Sequence, residues 1–355
     1  MYMQVVAQRK VLNRAIFSAA ALFFYSAGLH AQASTAPPAT PLYREVTDET
    51  GRTIHIPQDV RRIVSLAPSL TETIYALGLQ DRLVGDTNDC DYPPEARQKT
   101  KVGGGPNPSL ETIASLHPDL VLVTKKYNRL ETVHALETLG IPSYATDPTT
   151  VDAIISSTQR LGDLLEAPGA GSGLTKQLES RLAELQHRVA SRPARRVLFI
   201  VWTEPLISVG KDTFIADALR HAGAVSVVDS SQSWPQMNLE EVVRLQPEFL
   251  VFAESHSESA AHTIDTLADL PGWRLLTAVR NRRYAVISEA VNRPAPRIVS
   301  AIEELAHQLH PEAFAEKPES DRQEKNDPPN APVANSPSSL KTDPSPVLLE
   351  PACAR

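Results

Sequence analysis

The sequence predicts an α/β fold made of two similar lobes. A passage typical of a helix followed by a buried strand occurs twice, at residues 109–123 and again at residues 238–252. In each half, short apolar segments typical of buried strands alternate with helical patterns, which favours a parallel sheet covered by helices. Two such lobes leave a cleft between them, and clefts between domains commonly bind ligands.

The two copies of this passage agree in detail, which predicts lobes of the same construction. Upstream of each copy, a pair of arginines precedes a buried strand, at residues 61–66 and at residues 195–200. A helical pattern that ends at a glycine follows each strand, at Gly78 and at Gly223. Identical residues occupy four matching positions of the two copies: Leu110 and Leu239, Glu111 and Glu240, Leu116 and Leu245, and Pro118 and Pro247.

The first lobe is expected at residues 43–148 and opens with an edge hairpin. Residues 44–56 alternate between polar and apolar side chains, and the turn is expected at residues 49–51. Ser69 is expected to cap the first helix, with Glu72 completing a capping box. The other elements are expected in this order: strand 63–66, a helix ending at Gly78, strand 83–85, helix 109–116, strand 120–124, helix 131–139 and strand 141–144.

Helical segments are expected to connect the lobes within residues 149–192. Apolar residues recur with the helical period in residues 151–165 and in residues 174–189. Because a helix that passes between lobes is stiffer than extended crossovers, we expect limited closure of the cleft. The second lobe is expected at residues 193–314.

The ends of the chain predict export. Basic residues precede an apolar run at residues 15–29, and Ala-Gln-Ala follows shortly after, so residues 1–33 are expected to be a cleavable signal peptide. The apolar run is too short for a permanent membrane anchor. Because no cysteine lies near the expected cleavage site, we expect no lipid attachment. A linker at residues 34–42 and a disordered Pro-rich tail at residues 315–355 complete the expected organisation. We expect the mature protein in a periplasm.

The composition argues against several classes of function. The formal net charge is −7, and the mature part lacks a basic cluster, which argues against nucleic acid as a partner. Two cysteines, Cys90 and Cys353, do not make a disulfide framework. Neither a P-loop nor the patterns G-x-S-x-G and H-E-x-x-H occur. We therefore expect no catalytic residues, and a periplasmic hydrolase is the alternative from another class. We also expect no resident cofactor or bound metal, and a monomer.

Seven short motifs, spread over both expected lobes, resemble those of a known family. They are RIVSLAPSLTE at 62–72, CDYPPE at 90–95, SLE at 109–111, PDLV at 118–121, WTEP at 202–205, WPQ at 234–236 and NRPAPR at 292–297. Together they resemble the periplasmic cobalamin-binding proteins of ABC importers, in a helical-backbone class that also carries iron siderophores and haem. The resemblance implies two Rossmann-like lobes bridged by a long helix, with the ligand in the cleft between them and little motion on binding.

The resemblance also implies a ligand and a partner. The protein would capture a corrinoid, cobalamin, as a transported ligand and deliver it to a membrane permease with cytoplasmic ATPase subunits. The alternative is the same scaffold with haem or a ferric siderophore, for which Tyr127 or His256 would be a candidate axial ligand and Arg293 a carboxylate partner. A sensor that binds ligand without transport is a further alternative.

Two tryptophans of the second lobe are expected to hold the ligand. Trp202 and Trp234 lie where loops should face the cleft, and rigid aromatic rings offer a flat macrocycle a large contact area. Core filling is the alternative for both. Trp273, which follows a Pro-Gly pair, is expected to be structural.

Polar groups are expected on the same side of the cleft. Glu289, Asn292 and Arg293 match the loop from which the family sends polar groups to the amide side chains of cobalamin. The alternative is that this segment only forms a rigid entry to the helix that starts near Arg297.

The first lobe is expected to line the opposite side with Asp89, Asp91, Tyr92 and the loop at residues 103–107, which contains Gly105. Here the sequence departs from the family pattern, because cobalamin binders often have aromatic residues at the positions of Asp89 and Gly105. We therefore expect this side of the cleft to be more open or more polar than is usual in the family.

Glu111 and Glu240 occupy equivalent positions of the repeat, each two residues after an expected N-cap. In the family, one surface glutamate from each lobe pairs with arginines of the permease, and these two lie in the matching motifs. The alternative is that both glutamates only stabilise their own helices, because the helix dipole stabilises a carboxylate in the first turn of any helix.

Overall fold

The computed structural model describes residues 42–254 and 266–315. The predicted signal peptide, nearly all of the predicted linker, the tail from residue 316 onward and His256 lie outside the described residues. Within the two described stretches, no helix combines the length and the apolar character that crossing a membrane requires.

The N-terminal lobe contains a hairpin and a parallel sheet. The hairpin pairs β1 (Tyr43–Thr47) with β2 (Thr53–Pro57), as the alternating pattern predicts. The other strands are β3 (Ile63–Ser65), β4 (Leu83–Asp86), β5 (Thr100–Lys101), β6 (Gly103–Gly104), β7 (Asn107–Pro108), β8 (Leu120–Thr124) and β9 (Ser143–Thr146). Strands β6 and β7 form a small antiparallel pair, and the rest form one parallel sheet of order β5-β4-β3-β8-β9.

Helices cover both faces of this sheet. They are α1 (Pro68–Ala76), α2 (Leu110–Ser115) and α3 (Leu130–Thr138), with 3-10 helices at Gln80–Arg82 and Pro94–Gln98. Leu120 and Leu122 of β8 pack in the same core cluster as residues of α1, whereas Val121 and Val123 pack with residues of α2 and α3. Burial on both faces is typical of a parallel sheet.

The predicted capping box at the start of α1 is wrong. The helix begins at Pro68, its N-cap is Ala67, and no side chain caps it; the fixed φ of proline suits the first helical position. Ser69 therefore lies inside the first turn. Glu72 is buried, and its carboxylate accepts hydrogen bonds from arginines of the other lobe instead of closing a capping box.

Two helices bridge the lobes, α4 (Val151–Leu164) and α5 (Pro168–Val189). Helix α5 has 22 residues, which corresponds to a length of about 33 Å, and it begins earlier than the expected residue 174. Val151 and Ile155 of α4 belong to the core of the C-terminal lobe, whereas Leu161 and Leu164 belong to that of the N-terminal lobe. One helix thus contributes to both cores.

A contact between two glycines brings α4 and α5 close together. A Cβ atom added at Gly162 would lie 2.9 Å from the Cα of Gly171, which is closer than side chains tolerate. Leu174 of α5 packs against the cores of both lobes. The lobes are therefore connected by two helices packed against each other, α4 and α5, rather than by one helix alone.

The C-terminal lobe has a second parallel sheet. Its strands are β10 (Arg195–Ile200), β11 (Trp202–Thr203), β12 (Leu206–Ile207), β13 (Ala224–Ser226), β14 (Phe249–Ala253) and β15 (Tyr284–Ile287). The sheet has the order β13-β10-β14-β15, and β11 pairs with β12 as a separate hairpin. The helices are α6 (Phe214–His221), α7 (Leu239–Leu245), α8 (Thr277–Arg280), α9 (Ile298–Leu309) and α10 (Pro311–Phe314), with 3-10 helices at Trp273–Leu275 and Glu289–Asn292.

The repeat in the sequence corresponds to a repeat in the structure. Helix α2 leads into β8, which pairs with β3, and α7 leads into β14, which pairs with β10. Gly78 and Gly223 follow the equivalent helices α1 and α6 with φ angles of 72° and 74°. The predicted fold of two α/β lobes bridged by a long helix is confirmed.

Candidate ligand-binding site

The expected site residues of the N-terminal lobe lie at the carboxyl ends of its strands. Helix α1, which carries Glu72, follows β3; Asp89 and Tyr92 follow β4; Tyr127 follows β8. Open α/β sheets bind ligands outside the carboxyl ends of their strands. This edge of the lobe is therefore the one suited to bind a ligand.

The C-terminal lobe uses the equivalent edge. Trp202 follows β10, while Glu289, Asn292 and Arg293 follow β15. The two edges are in contact, because Arg293 donates a hydrogen bond to Glu72 of the N-terminal lobe. The structure thus brings Arg293 against the N-terminal lobe. Asn292 is exposed at the end of its 3-10 helix.

Five charged side chains join the lobes, and we call them the ion cluster: Glu72, Asp91, Glu289, Arg293 and Arg297. The Nη1 atom of Arg293 donates to Oε1 of Glu72 at 2.8 Å and lies 2.8 Å from Oδ1 of Asp91. Arg297 donates to the same Glu72 carboxylate from Nη2 at 2.9 Å and from Nε at 3.1 Å. Glu289 lies 3.4 Å from the guanidinium group of Arg293 and 3.5 Å from that of Arg297.

The ion cluster is largely buried. The side chains of Glu72 and Arg293 are 3% and 14% exposed. Burial alone would lower the pKa of Arg293, but hydrogen bonds to Asp91 and Glu72 outweigh that effect and raise the pKa above its usual value. Burial also lowers the pKa of Arg297, but its hydrogen bonds to Glu72 raise the pKa by more, so the net shift is upward. Both arginines therefore remain charged.

Tyr92 lies beside this cluster. The guanidinium carbon of Arg297 is 3.7 Å from the centre of its ring, which is a close cation–π contact. The ring remains 42% exposed. Tyr92, Glu72 and Arg297 also border an inter-lobe cavity of about 360 Å³, closed on another side by Leu174 and Gln177 of α5.

Trp202 and Trp234 are exposed aromatic side chains of the C-terminal lobe. They are 60% and 54% exposed, so core filling is not their role. Trp202 lies in β11, and a bridge between Ile207 of β12 and Gln236 ties the segment of Trp234 to the same hairpin. Trp273, in contrast, is buried in a core cluster, as expected.

On the N-terminal side, where the sequence predicts a more open or more polar cleft, a tyrosine occupies part of the space. A Cβ atom at Gly105 would lie 2.0 Å from Cε1 of Tyr127, so the ring packs directly on the glycine. The hydroxyl of Tyr127 donates to Oδ2 of Asp89 at 2.6 Å. Both positions that depart from the family pattern thus contact one aromatic side chain.

A buried ion pair supports the loop that carries Asp89 and Tyr92. Lys101 of β5 donates to Oδ1 of Asp86 at 2.8 Å and to the carbonyl oxygen atoms of Cys90 and Ala96 at 2.9 and 3.1 Å. Burial raises the pKa of Asp86 to about 6, although Lys101 acts in the opposite direction. The loop between β4 and β5 is therefore fixed at both ends, and Cys90 within it is a buried free thiol.

Glu111 and Glu240 lie in the first turns of α2 and α7, and both are exposed. The expected caps are present, since Ser109 accepts from the backbone nitrogen of Thr112 at 3.2 Å and Asn238 accepts from that of Glu240 at 2.9 Å. Because helices of alternating α/β folds run antiparallel to their strands, both turns lie at the carboxyl edges of the sheets. Each lobe thus presents one carboxylate near the cleft.

Sequence reasoning missed two members of the ion cluster. Glu72 was expected to act in a helix cap, and Arg297 only at the start of a helix. A usable signal existed, because Glu72 is the one charged residue of α1, and a charge that becomes buried when such a helix packs needs a partner.

The fold and the site define a class, that of two-lobed binding proteins with a ligand cleft at the carboxyl edges of two sheets. The chain belongs to the periplasmic binding protein family, whose model matches residues 63–290. Members of this family bind ligands for transport and do not catalyse reactions, which confirms the expectation that the protein is not an enzyme.

Two curated relatives are similar over most of the chain. An uncharacterised ABC transporter substrate-binding lipoprotein of Bacillus subtilis strain 168, YvrC, is 31% identical over 279 residues, which is 76% of this chain and 87% of the relative. A vitamin B12-binding protein of Vibrio cholerae serotype O1 is 29% identical over 259 residues, which is 71% of this chain and 90% of the relative.

Solved structures with the same fold bind different ligands. The periplasmic vitamin B12 binding protein BtuF of Vibrio cholerae matches with a TM-score of 0.63 at 28% identity, covering 72% of this chain and 99% of its own. The periplasmic heme-binding protein RhuT from Roseiflexus sp. RS-1 matches with a TM-score of 0.64 at 25% identity and the same coverages. The choice between these ligands therefore depends on the side chains of this protein's own cleft.

Proposed function

We propose that the protein captures a corrinoid, cobalamin, between its lobes and delivers it to the permease of an ABC importer. It acts as a monomer in the periplasm after the signal peptide at residues 1–33 has been removed. Residues 43–148 and 193–314 form the lobes, and residues 149–192 connect them. The vitamin B12-binding relatives and the side chains of the cleft support this proposal.

The observation that carries the proposal is the exposure of Trp202 and Trp234 at the cleft edge of the C-terminal lobe. Such large aromatic side chains usually bury most of their surface in a monomer, and exposed ones mark binding sites. A corrinoid is a broad, partly apolar macrocycle that covers both rings at once. Glu289 and Asn292, which follow β15 at the carboxyl edge of the same sheet, supply hydrogen-bonding groups for its amide side chains.

The ion cluster favours a neutral ligand over haem. Haem carries two carboxylates, which are best bound by guanidinium groups. In the described part of the cleft, Arg293 and Arg297 already pair with carboxylates of the protein. A haem propionate would have to displace Glu72 or Asp91, whereas corrinoid amides can bind without breaking these pairs.

Tyr127 is also poorly suited to ligate haem iron. Tyrosine binds ferric iron as a phenolate. Burial and the hydrogen bond to Asp89 both raise the pKa of Tyr127, so the neutral phenol is strongly favoured. This argues for an aromatic contact with a corrinoid and against an iron–oxygen bond.

Docking to the permease is assigned to Glu111 and Glu240. The two carboxylates extend from equivalent first turns, one on each lobe, beside the mouth of the cleft. Within the described residues, neither one forms an ion pair, so both are available to cations of a partner. A two-fold permease would then recognise one carboxylate of each lobe.

The test compares tryptophan variants in a calorimetric titration with cyanocobalamin. We expect Trp234→Ala and Trp202→Ala each to weaken binding by about 10- to 100-fold, because each removes a large aromatic contact. Leu139→Ala is the matched control, since Leu139 is 52% exposed but lies after α3, away from the cleft. Unchanged affinity in both tryptophan variants would overturn the proposal that Trp202 and Trp234 contact the ligand.

A further inference from the structure

The ring of Tyr127 rests on the backbone of Gly105. A Cβ atom at Gly105 would come within 2.0 Å of Cε1 and within 2.8 Å of Cδ1 and Cζ of the ring. Gly105 has no left-handed backbone conformation to explain its identity, whereas the neighbouring Gly103 has a φ of 96°. A glycine at residue 105 is therefore explained by the space that the tyrosine ring needs.

The same ring is fixed at its far end and at its base. Its hydroxyl donates to Oδ2 of Asp89 at 2.6 Å. The next residue, Asn128, donates from Nδ2 to the carbonyl oxygen atoms of Leu66 and Gly105 at 2.8 and 2.9 Å and accepts from the backbone nitrogen of Thr124 at 2.8 Å. The loops after β3, β4 and β8 are thereby joined around one tyrosine, which is held in a single orientation.

The ring lies in the cleft and is accessible. Tyr127 is 36% exposed, and its loop leaves the carboxyl end of β8, the edge that contacts the C-terminal lobe. Burial and Asp89 raise the pKa of Tyr127, while the charge of Arg293 acts in the opposite direction. Asp89, the hydrogen-bond partner of Tyr127, lies two residues before Asp91 of the ion cluster, which places the ring near that cluster.

We infer that Tyr127 is a specificity-determining ligand contact, whose ring provides the N-terminal lobe with a stacking surface for the corrinoid opposite Trp202 and Trp234. Gly105 and Asp89 are positioning residues that hold this ring. The inference rests on the proposed function and adds a residue and a mode of contact to it. The hydroxyl is used by Asp89, so the contact is made by the ring and not by ligation of cobalt.

Two substitutions of the tyrosine separate a ring contact from a hydroxyl contact. In calorimetric titrations with cyanocobalamin, we expect Tyr127→Ala to weaken binding about tenfold or more, since it removes an aromatic surface. Tyr127→Phe keeps the ring and should recover most of that loss, to within about threefold of the wild type. Thermal unfolding of each variant checks that the lobe remains folded.

Neighbouring glycines provide the test of positioning. Gly105→Ala should displace the ring and weaken binding about as much as Tyr127→Ala, whereas Gly104→Ala should not, because a Cβ at Gly104 meets nothing within 4 Å. The double variant Gly105→Ala/Tyr127→Ala should bind no more weakly than either single variant, since both act through the same ring. Additive losses would show that Gly105 acts independently of Tyr127.

The outcomes distinguish this inference from the proposed function. Failure of the wild type to bind cyanocobalamin would overturn both. Binding by the wild type with unchanged affinity in Tyr127→Ala would overturn the inference alone. An equal loss in Tyr127→Phe and Tyr127→Ala would also overturn it, because the hydroxyl would then be the essential group.

Discussion

At the scale of single residues, Glu72 shows how a distant partner overrides a local pattern. Residues 69–72 fit a capping box, which is a rule about neighbours within one helical turn. The partner of Glu72, however, is Arg293, which is 221 positions away in the sequence. A single sequence can indicate that a buried charge needs a partner, but it does not identify which residue that partner is.

Removal of the Glu72 charge should destabilise the protein. We expect Glu72→Gln to lower the free energy of unfolding by about 3 kcal/mol, because two largely buried arginines lose the carboxylate they share. Urea unfolding measures the effect. Glu131→Gln, at an exposed position of α3, should change the free energy of unfolding by no more than about 0.5 kcal/mol, and equal stabilities of the two variants would contradict the buried role of Glu72.

Tyr127 illustrates a second limit at this scale. The sequence predicts that Asp89, Gly105 and Tyr127 lie in loops at the carboxyl ends of strands. It does not show that Asp89 and Gly105, where cobalamin binders often have aromatic residues, both contact Tyr127. That contact depends on side-chain packing between separate loops. The expectation of a more open or more polar cleft considers each of these positions alone, without the tyrosine that contacts both.

At the scale of elements, the hydrophobic periodicity predicted most of the structure. The repeated helix and strand, the hairpin and both glycine-terminated helices are present. The start of α5 was missed because residues 168–173 contain Pro168 and three glycines, which have low helix propensity. Packing against α4 at Gly162 overrides that propensity, and only the tertiary structure shows this contact.

The glycine contact between α4 and α5 predicts the effect of an added methyl group. Gly162→Ala should lower the free energy of unfolding by about 1–3 kcal/mol, because the new Cβ would lie 2.9 Å from the Cα of Gly171. Gly173→Ala is the control with the opposite sign: nothing lies within 4 Å of its added Cβ, so it should stabilise α5 by about 0.5–1 kcal/mol. Destabilisation of both variants to the same extent would contradict a specific contact at Gly162.

At the scale of the whole molecule, two connections hold the lobes together. The helices α4 and α5 contribute to the cores of both lobes, and the ion cluster crosses the cleft. Limited closure on ligand binding stays a prediction, which both features favour. Limited closure would keep a constant distance between Glu111 and Glu240, as the proposed docking on a symmetric permease requires.

Charge reversal should separate docking from ligand binding. We expect the double variant Glu111→Lys/Glu240→Lys to reduce cellular uptake of labelled cobalamin at least about tenfold, because two charge-assisted contacts with the permease become repulsive. Its affinity for cobalamin in solution should stay within about twofold of the wild type. Glu179→Lys, at an exposed position in the middle of α5, is the control. Uptake by the double variant that equals uptake by this control would contradict the docking assignment.

The most direct test of the central claim is a calorimetric titration of the mature wild-type protein, beginning after residue 33, with cyanocobalamin and, in parallel, with haem. The account predicts nanomolar binding of cobalamin, a free energy of about −12 kcal/mol, and much weaker binding of haem because Arg293 and Arg297 are already paired. Tight binding of haem without binding of cobalamin would contradict the account of the ligand, although the fold and the family would stand.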